Sequence, residues 1–334
     1  SHDSRKNFLI MSSDVSRAYF YVPATRPIFI EIPAEDREEG DEGSVGQLNL
    51  SLYGTRDAAM NWAKTYTKLM VDNGFVTGKH SACNFWHPTR DVAVTVHGDD
   101  FTAAGRELDL QWLDGVLKSA YKIKTKFLGP NLERHEQEIR ILNRVITWNE
   151  WGIGYEADQR HAELVVRDLG LEGAKAVSIP GSKDDVNRAL DANGYDFSLK
   201  DELTSGKVAE EATVSSGAEG VELHGTEATR FRGICARLNY LAQDRPEIRY
   251  SCKEASRRMA RPFEGDWILL KRIGRYLKGT PRVVQRFEWQ SESGSLDTFV
   301  DSDWAGCKPT CKSTSGGATT VSYTHLTLPT MRTV

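Results

Sequence analysis

The sequence predicts an α+β fold, on three observations. Ile28-Phe29-Ile30-Glu31-Ile32-Pro33 alternates with period two and stops at proline, as a strand does. Val92, Val94 and Val96 alternate with polar neighbours and lead through His97-Gly98-Asp99-Asp100 into Phe101-Thr102-Ala103, a hairpin with an acid pair at its tip. Stretches such as Asp57 to Asn73, with Trp62, Tyr66, Leu69 and Met70 near the helical period, supply the α component.

The remaining elements follow in order. Phe8–Met11 is a short apolar run, and Asp14 opens the amphipathic stretch Val15–Tyr21. Glu35–Gly43 reads as a loop, and Leu48–Tyr53 as a continuation of the sheet. Leu108–Tyr121 reads as a helix, Ile139–Trp148 and Gly152–Tyr155 as strands, and Gln159–Leu169 as a helix ended by Gly170. Periodicity is lost from 181 to about 224, where Ser205–Glu222 has linker composition. Helices resume at Thr226–Leu241, Ile248–Met259 and Gly265–Leu277, and Thr298–Asp301 begins another strand.

Length allows two or more domains, and no apolar run approaches a membrane span. The five scattered cysteines argue against a disulfide framework and for a reducing compartment. The first residue, Ser1, shortly before a buried-strand pattern, reads as a segment of a longer parent. Net charge is −4, but its distribution is uneven. Arg230 to Arg286 holds 15 Lys or Arg against 5 Asp or Glu, while Asp184 to Glu222 holds 10 acids against 3 bases. The basic segment has the electrostatic footprint of a phosphate-binding surface, and a solvated helix face is an equal competitor.

Asp14 at a strand end and Asp99-Asp100 at a hairpin tip form a possible carboxylate set if the two strands are adjacent. Two divalent cations held by such acids can activate a 3′-hydroxyl and neutralise pyrophosphate. Each piece alone is more often a cap or a solvated turn. His80, Cys83 and His87 lack a fourth ligand at zinc spacing, as does Cys307-x3-Cys311, so core or loop roles are expected there.

Asp14-Val15-Ser16-Arg17-Ala18-Tyr19-Phe20 resembles the first polymerase motif of reverse transcriptases, and Val96-His97-Gly98-Asp99-Asp100 their second. Ser51-Leu52-Tyr53-Gly54-Thr55-Arg56-Asp57-Ala58-Ala59-Met60-Asn61-Trp62 is similar to the copia-type stretch Ser-Leu-Tyr-Gly-Leu-Lys-Gln-Ala-Pro-Arg-Ala-Trp. Arg237–Ala242, Arg245–Ile248 and Arg275–Thr280 resemble that family's connection region. Asp301–Gly306, with Lys312–Gly316, resembles the opening of its ribonuclease H domain. Over residues 8 to 320 the chain thus resembles the polymerase portion of copia-type retrotransposon Pol polyproteins.

The resemblance implies a reverse-transcriptase palm, an antiparallel sheet backed by helices. It implies palm and partial fingers over 1–105, a thumb-like region over 106–180, an acidic flexible linker over 181–224 and a basic helical connection over 225–292. A ribonuclease H start truncated after its first strand would follow over 293–320. It implies that Asp14, Asp99 and Asp100 are catalytic and hold two Mg2+ ions, or Mn2+. Tyr19 would sit under the incoming sugar as a steric gate, with Ala18, Tyr53 and Gly54 around the nucleotide and template. Amides of Val15–Tyr19 would face the triphosphate as at a helix start. Partners would be an RNA or DNA template with primer, dNTPs and other parts of the polyprotein, with no membrane. The setting would be intracellular, in a cytoplasmic virus-like particle or the nucleus.

Asp57 and Ala59 stand where the family has Gln and Pro, which predicts a looser templating site. Gly98, at the place of the family's Val, predicts a weakened strand. Val321–Thr330 back-translates to a sequence resembling the end of a transposase-based sequencing adapter, so 321–334 reads as library read-through. Two functions follow: an RNA-directed DNA polymerase in the parent polyprotein, or a decayed, inactive fragment that at most binds nucleic acid.

Overall fold

The computed structural model describes residues 8–41, 43–194, 220–289, 296–306, 312–321 and 324–326. The chain divides into two units, one of Ser1–Ile141 with Thr147–Glu150, the other of Leu142–Ile146 with Trp151–Val334. The fold is mixed, with antiparallel sheets and seven α-helices among the described residues.

The first unit begins with β1 (Phe8–Val15), which runs straight through Asp14. A single 3-10 turn at Ala18–Tyr21 follows, in place of the expected amphipathic stretch from Val15. β2 (Phe29–Glu31) and β3 (Val45–Gln47) form a small separate sheet. Leu48–Tyr53 is no strand, contributing one bridge from Leu50 to Pro23. α1 (Ala58–Asp72) buries Trp62, Tyr66 and Met70, one residue per turn on one stripe. It ends at Gly74, whose φ of +87° suits glycine.

β4 (Val76–Thr77), β5 (Asn84–His87), β6 (Val92–His97) and β7 (Asp100–Arg106) follow. α2 (Glu107–Ala120) buries Leu110, Leu113 and Leu117, and β8 (Ile123–Leu128) returns to the sheet. The strand order is β4-β5-β6-β7-β1-β8, with β1 antiparallel to both neighbours. Alternation sends Leu9, Met11, Val94, Val96, Phe101 and Ala103 into one core with the apolar stripes of α1 and α2. The sheet does not end at residue 105, because β8 pairs with β1 along Ile10–Val15.

The single strand expected over Ile139–Trp148 is two, β9 (Glu138–Ile141) and β10 (Arg144–Asn149). Leu142 and Asn143 between them both have positive φ, the signature of a two-residue turn. In the second unit, β11 (Gly152–Glu156) leads to α3 (Gln159–Asp168). α4 (Lys183–Ala192) occupies the start of the expected linker, held by a capping box between Ser182 and Asp185. Most of the remaining linker, 195–219, lies outside the described residues.

α5 (Gly225–Leu241), α6 (Arg249–Ser256) and α7 (Trp267–Gly279) pack with α3 and α4 around Phe231, Leu238, Leu270 and Ile273. β12 (Val284–Glu288) pairs with β11. Where one terminal strand was expected there are three, β13 (Leu296–Ser302), β14 (Ser315–Val321) and β15 (Thr324–Leu326), in one antiparallel sheet. Cys307, Cys311 and residues 327–334 lie outside the described residues. No helix among the described residues is long and apolar enough to cross a membrane.

Candidate active site

The uncovered face of the large sheet is built from three rows of directly opposed residues. One row is His97, Asp100, Asp14 and Lys124; the next is Thr95, Thr102, Ser12 and Lys126; the third is Ala93, Ala104 and Ile10, ending at Leu128, which is buried. Opposed residues carry their side chains on the same face about 5 Å apart at Cβ, so Asp14 and Asp100 are direct neighbours. Asp99 joins them from the turn, and its carbonyl accepts the Val15 amide at 3.0 Å. The structure therefore brings together the three acids that lie 85 residues apart in sequence, counted from Asp14 to Asp99.

Crowding like charges has an electrostatic signature. Burial first, and then the charges of Asp99 and Asp14, push the Asp100 carboxyl above the usual range, against an opposing pull from His97. A hard divalent cation would relieve that repulsion, and carboxylate oxygens are the ligands magnesium takes. Among the described residues no three acids, histidines or cysteines close into a cage for an ion. An open carboxylate set fits a magnesium ion that takes its remaining oxygens from water and phosphate.

The turn between β6 and β7 is Gly98-Asp99, with φ +64° at Gly98. Gly98 is thus not a weak point in a strand; it occupies the turn position that requires positive φ. Its carbonyl accepts the Trp62 indole N–H at 2.7 Å.

The aromatic side of the site also assembles. Ala18 is fully buried, and the short turn it opens presents Tyr19, half-buried, against Tyr53 at 4.4 Å between ring centroids. Burial, the Asp99 charge and Tyr19 push the Tyr53 hydroxyl up, with a backbone contact at Ala18 opposing and Asp14 adding to the rise. Tyr53 therefore lies within electrostatic reach of two of the acids. Gly54 follows it at φ +86° in a turn closed by Thr55 N–H to Leu52 C=O, 3.1 Å, the type II requirement. Asp57 is anchored, not loose: Thr25 donates to it at 3.2 Å and Arg26 pairs with it at 3.3 Å.

Two expectations narrow. The Val15 and Ser16 amides already donate to the Asp99 and Lys122 carbonyls, so of the expected Val15–Tyr19 amides the triphosphate contact is left to Arg17, Ala18 and Tyr19, at the start of a one-turn 3-10 segment. In the second unit, arginines of the basic segment hold structure. Arg232 and Arg249 donate to carbonyls at Met259, Ala242 and Gln243, Arg245 pairs with Glu247, and Arg282 with Glu156. Sequence reasoning missed the exposed Lys124 and Lys126, although Lys122-Ile-Lys-Thr-Lys-Phe alternates and could have marked β8. It read Trp62 as helix packing and motif, without its bond to the acid turn.

The model of the family described as reverse transcriptase (RNA-dependent DNA polymerase) matches residues 3–180, more than half of the chain. The chain belongs to that family. It is 25% identical over 320 residues, 93% of its length, to the retrovirus-related Pol polyprotein from transposon RE2 of Arabidopsis thaliana. It is 22% identical over 307 residues to the corresponding polyprotein from transposon TNT 1-94 of Nicotiana tabacum. Against the Pol polyprotein from transposon RE1 of Arabidopsis thaliana, identity is 43% over 91 residues, 27% of this chain and 6% of that protein. This reverse-transcriptase-family chain spans about a fifth of the first two polyproteins, 19% and 21%.

Proposed function

We propose that the chain is the RNA-directed DNA polymerase segment of a copia-type Pol polyprotein. The observation that carries this reading is the cross-strand placement of Asp14 against Asp100, with Asp99 on the adjoining turn and Tyr19 and Tyr53 beside them. The six-stranded sheet with α1 and α2 is the palm, extended through β8, with partial fingers in β2 and β3. The thumb-like part follows to about residue 180, the helices after 225 form the connection, and β13 with β14 up to residue 320 is the start of a ribonuclease H domain.

Asp14, Asp99 and Asp100 would hold magnesium ions, which supply charge neutralisation at the attacking and leaving oxygens when bound. The chain's own residues do the rest. Tyr19, packed at a tilt against Tyr53, sets the floor under the sugar and excludes a 2′-hydroxyl by contact. Small side chains on the open face (Ser12, Ala93, Thr95, Thr102, Ala104) leave room for a nucleic-acid strand to approach the acids. Lys124 and Lys126 at the sheet edge supply positive charge for its phosphates.

Primer extension by the full chain on poly(rA)/oligo(dT) with Mg2+ tests this. Extension that is lost in Asp99→Asn supports the polymerase. Binding of the primer–template without extension identifies instead a remnant that only binds nucleic acid.

A further inference from the structure

We propose that Trp62 is a positioning residue that fixes the orientation of Asp99 by holding the peptide in front of it; the polymerase reading gives that orientation its purpose. The indole is 1% exposed and donates its N–H to the Gly98 carbonyl at 2.7 Å. A buried indole N–H finds a partner as a rule, but this one reaches the centre of a surface turn. Its ring is clamped edge-on by Tyr121 at 5.0 Å, Tyr66 at 5.6 Å and Phe101 at 6.4 Å, so the direction of its N–H is set by packing.

The acceptor matters because two-residue hairpins choose between two forms. Type I′ has positive φ at both central residues; type II′ has it at the first alone. The two differ by a flip of the peptide between the central residues. Here that peptide is Gly98–Asp99, and the carbonyl that flips is the one Trp62 holds. Positive φ occurs at Gly98 and not at Asp99, as in type II′. Aspartate tolerates positive φ better than most residues, so the sequence Gly-Asp does not itself forbid the flipped form. On the other side, the Asp99 carbonyl accepts from Val15 N–H, so Asp99 is held from α1 through Trp62 and from β1 through Val15. Loss of the indole bond frees the first hold and lets the Asp99 carboxylate point away from Asp14 and Asp100.

The test uses the full chain with Trp62→Phe, which keeps a ring and removes the donor. Tyr66→Leu is the control, since it disturbs the same aromatic cluster without touching the turn. Amide hydrogen exchange is read at residues 97–101 and at Val15, and primer extension is split into kcat and KM for the nucleotide. In Trp62→Phe, exchange at these positions rises about tenfold, as expected when about one hydrogen bond's worth of protection is lost. The kcat falls roughly 10- to 100-fold, the scale of a misplaced catalytic group, with KM little changed. Tyr66→Leu lowers the melting temperature but leaves both readouts near wild type. Hairpin exchange unchanged in Trp62→Phe, or raised equally in Tyr66→Leu, overturns the proposal. If the wild-type chain extends no primer, the polymerase reading fails, and the exchange comparison still decides whether Trp62 holds the turn.

Discussion

Neutralising one of the three clustered acids should stabilise the protein while abolishing its chemistry. Asp100 lies directly across from Asp14 and one residue from Asp99, and its carboxyl is pushed above the usual range by burial and by both charges. Like charges directly opposed on a sheet cost about 0.2–1 kcal/mol per pair, so relieving the one such contact, with Asp14, gains about 0.2–1 kcal/mol in Asp100→Asn, and removing the repulsion from the adjoining Asp99 adds to it. For a chain of this size that is a rise of roughly 2–4 °C in melting temperature per kcal/mol. The pH dependence has a definite sign. A carboxyl raised in the folded state contributes stability that is present at acid pH and lost as pH rises through its folded value. The advantage of Asn is therefore full near neutrality and vanishes as pH falls toward about 4. Thermal unfolding of both proteins at pH 7.5 and 4.5, without divalent metal, reads this directly. A melting temperature lowered by the substitution, equally at both pH values, would refute the reasoning.

Three further outcomes follow from the same geometry. Tyr19→Val removes the ring packed on Tyr53 and should reduce discrimination against ribonucleotides roughly 10- to 100-fold, measured by single-nucleotide incorporation of UTP against dTTP. Lys124→Glu with Lys126→Glu should weaken primer–template binding and lower the magnitude of its log–log salt slope by about 2, read by fluorescence anisotropy over a salt series. Asp266 is fully buried, accepting from Phe263 N–H and the Asn193 amide, so Asp266→Ala strands one buried and one part-buried donor and should cost about 2–4 kcal/mol by chemical denaturation. Asp266→Asn, which retains an accepting oxygen, should cost less.

Much of the site was legible in the sequence because motif residues carry their own local geometry. The hairpin at Gly98-Asp99 and the helix bearing Trp62 fall where alternation and helical period place them. Adjacency of Asp14 and Asp100 was not legible from period alone, because register is a long-range property; the motif resemblance supplied it. Gly98 was misread as a strand weakness because one residue decides whether a glycine lies in a strand or at a turn. β8 escaped because its alternating residues are lysines, whose exposed charges mask a strand under a hydrophobic criterion. α4 escaped for a related reason: its start is fixed by the Ser182–Asp185 capping box, and few of its residues are apolar. The basic segment shows the converse, since charge counted along the chain does not reveal that arginines such as Arg245 and Arg249 turn inward to carbonyls and acids.

The most direct test of the account is divalent-metal binding and nucleotide incorporation measured on the same proteins. Wild type, Asp14→Asn, Asp99→Asn and Asp100→Asn would be titrated with Mn2+ by electron paramagnetic resonance in the presence of primer–template and dTTP, then assayed for single-nucleotide incorporation. The account predicts that wild type binds metal and incorporates, and that each substitution weakens binding and reduces incorporation by several orders of magnitude. Incorporation that survives any one of the three substitutions at near wild-type rate would contradict it.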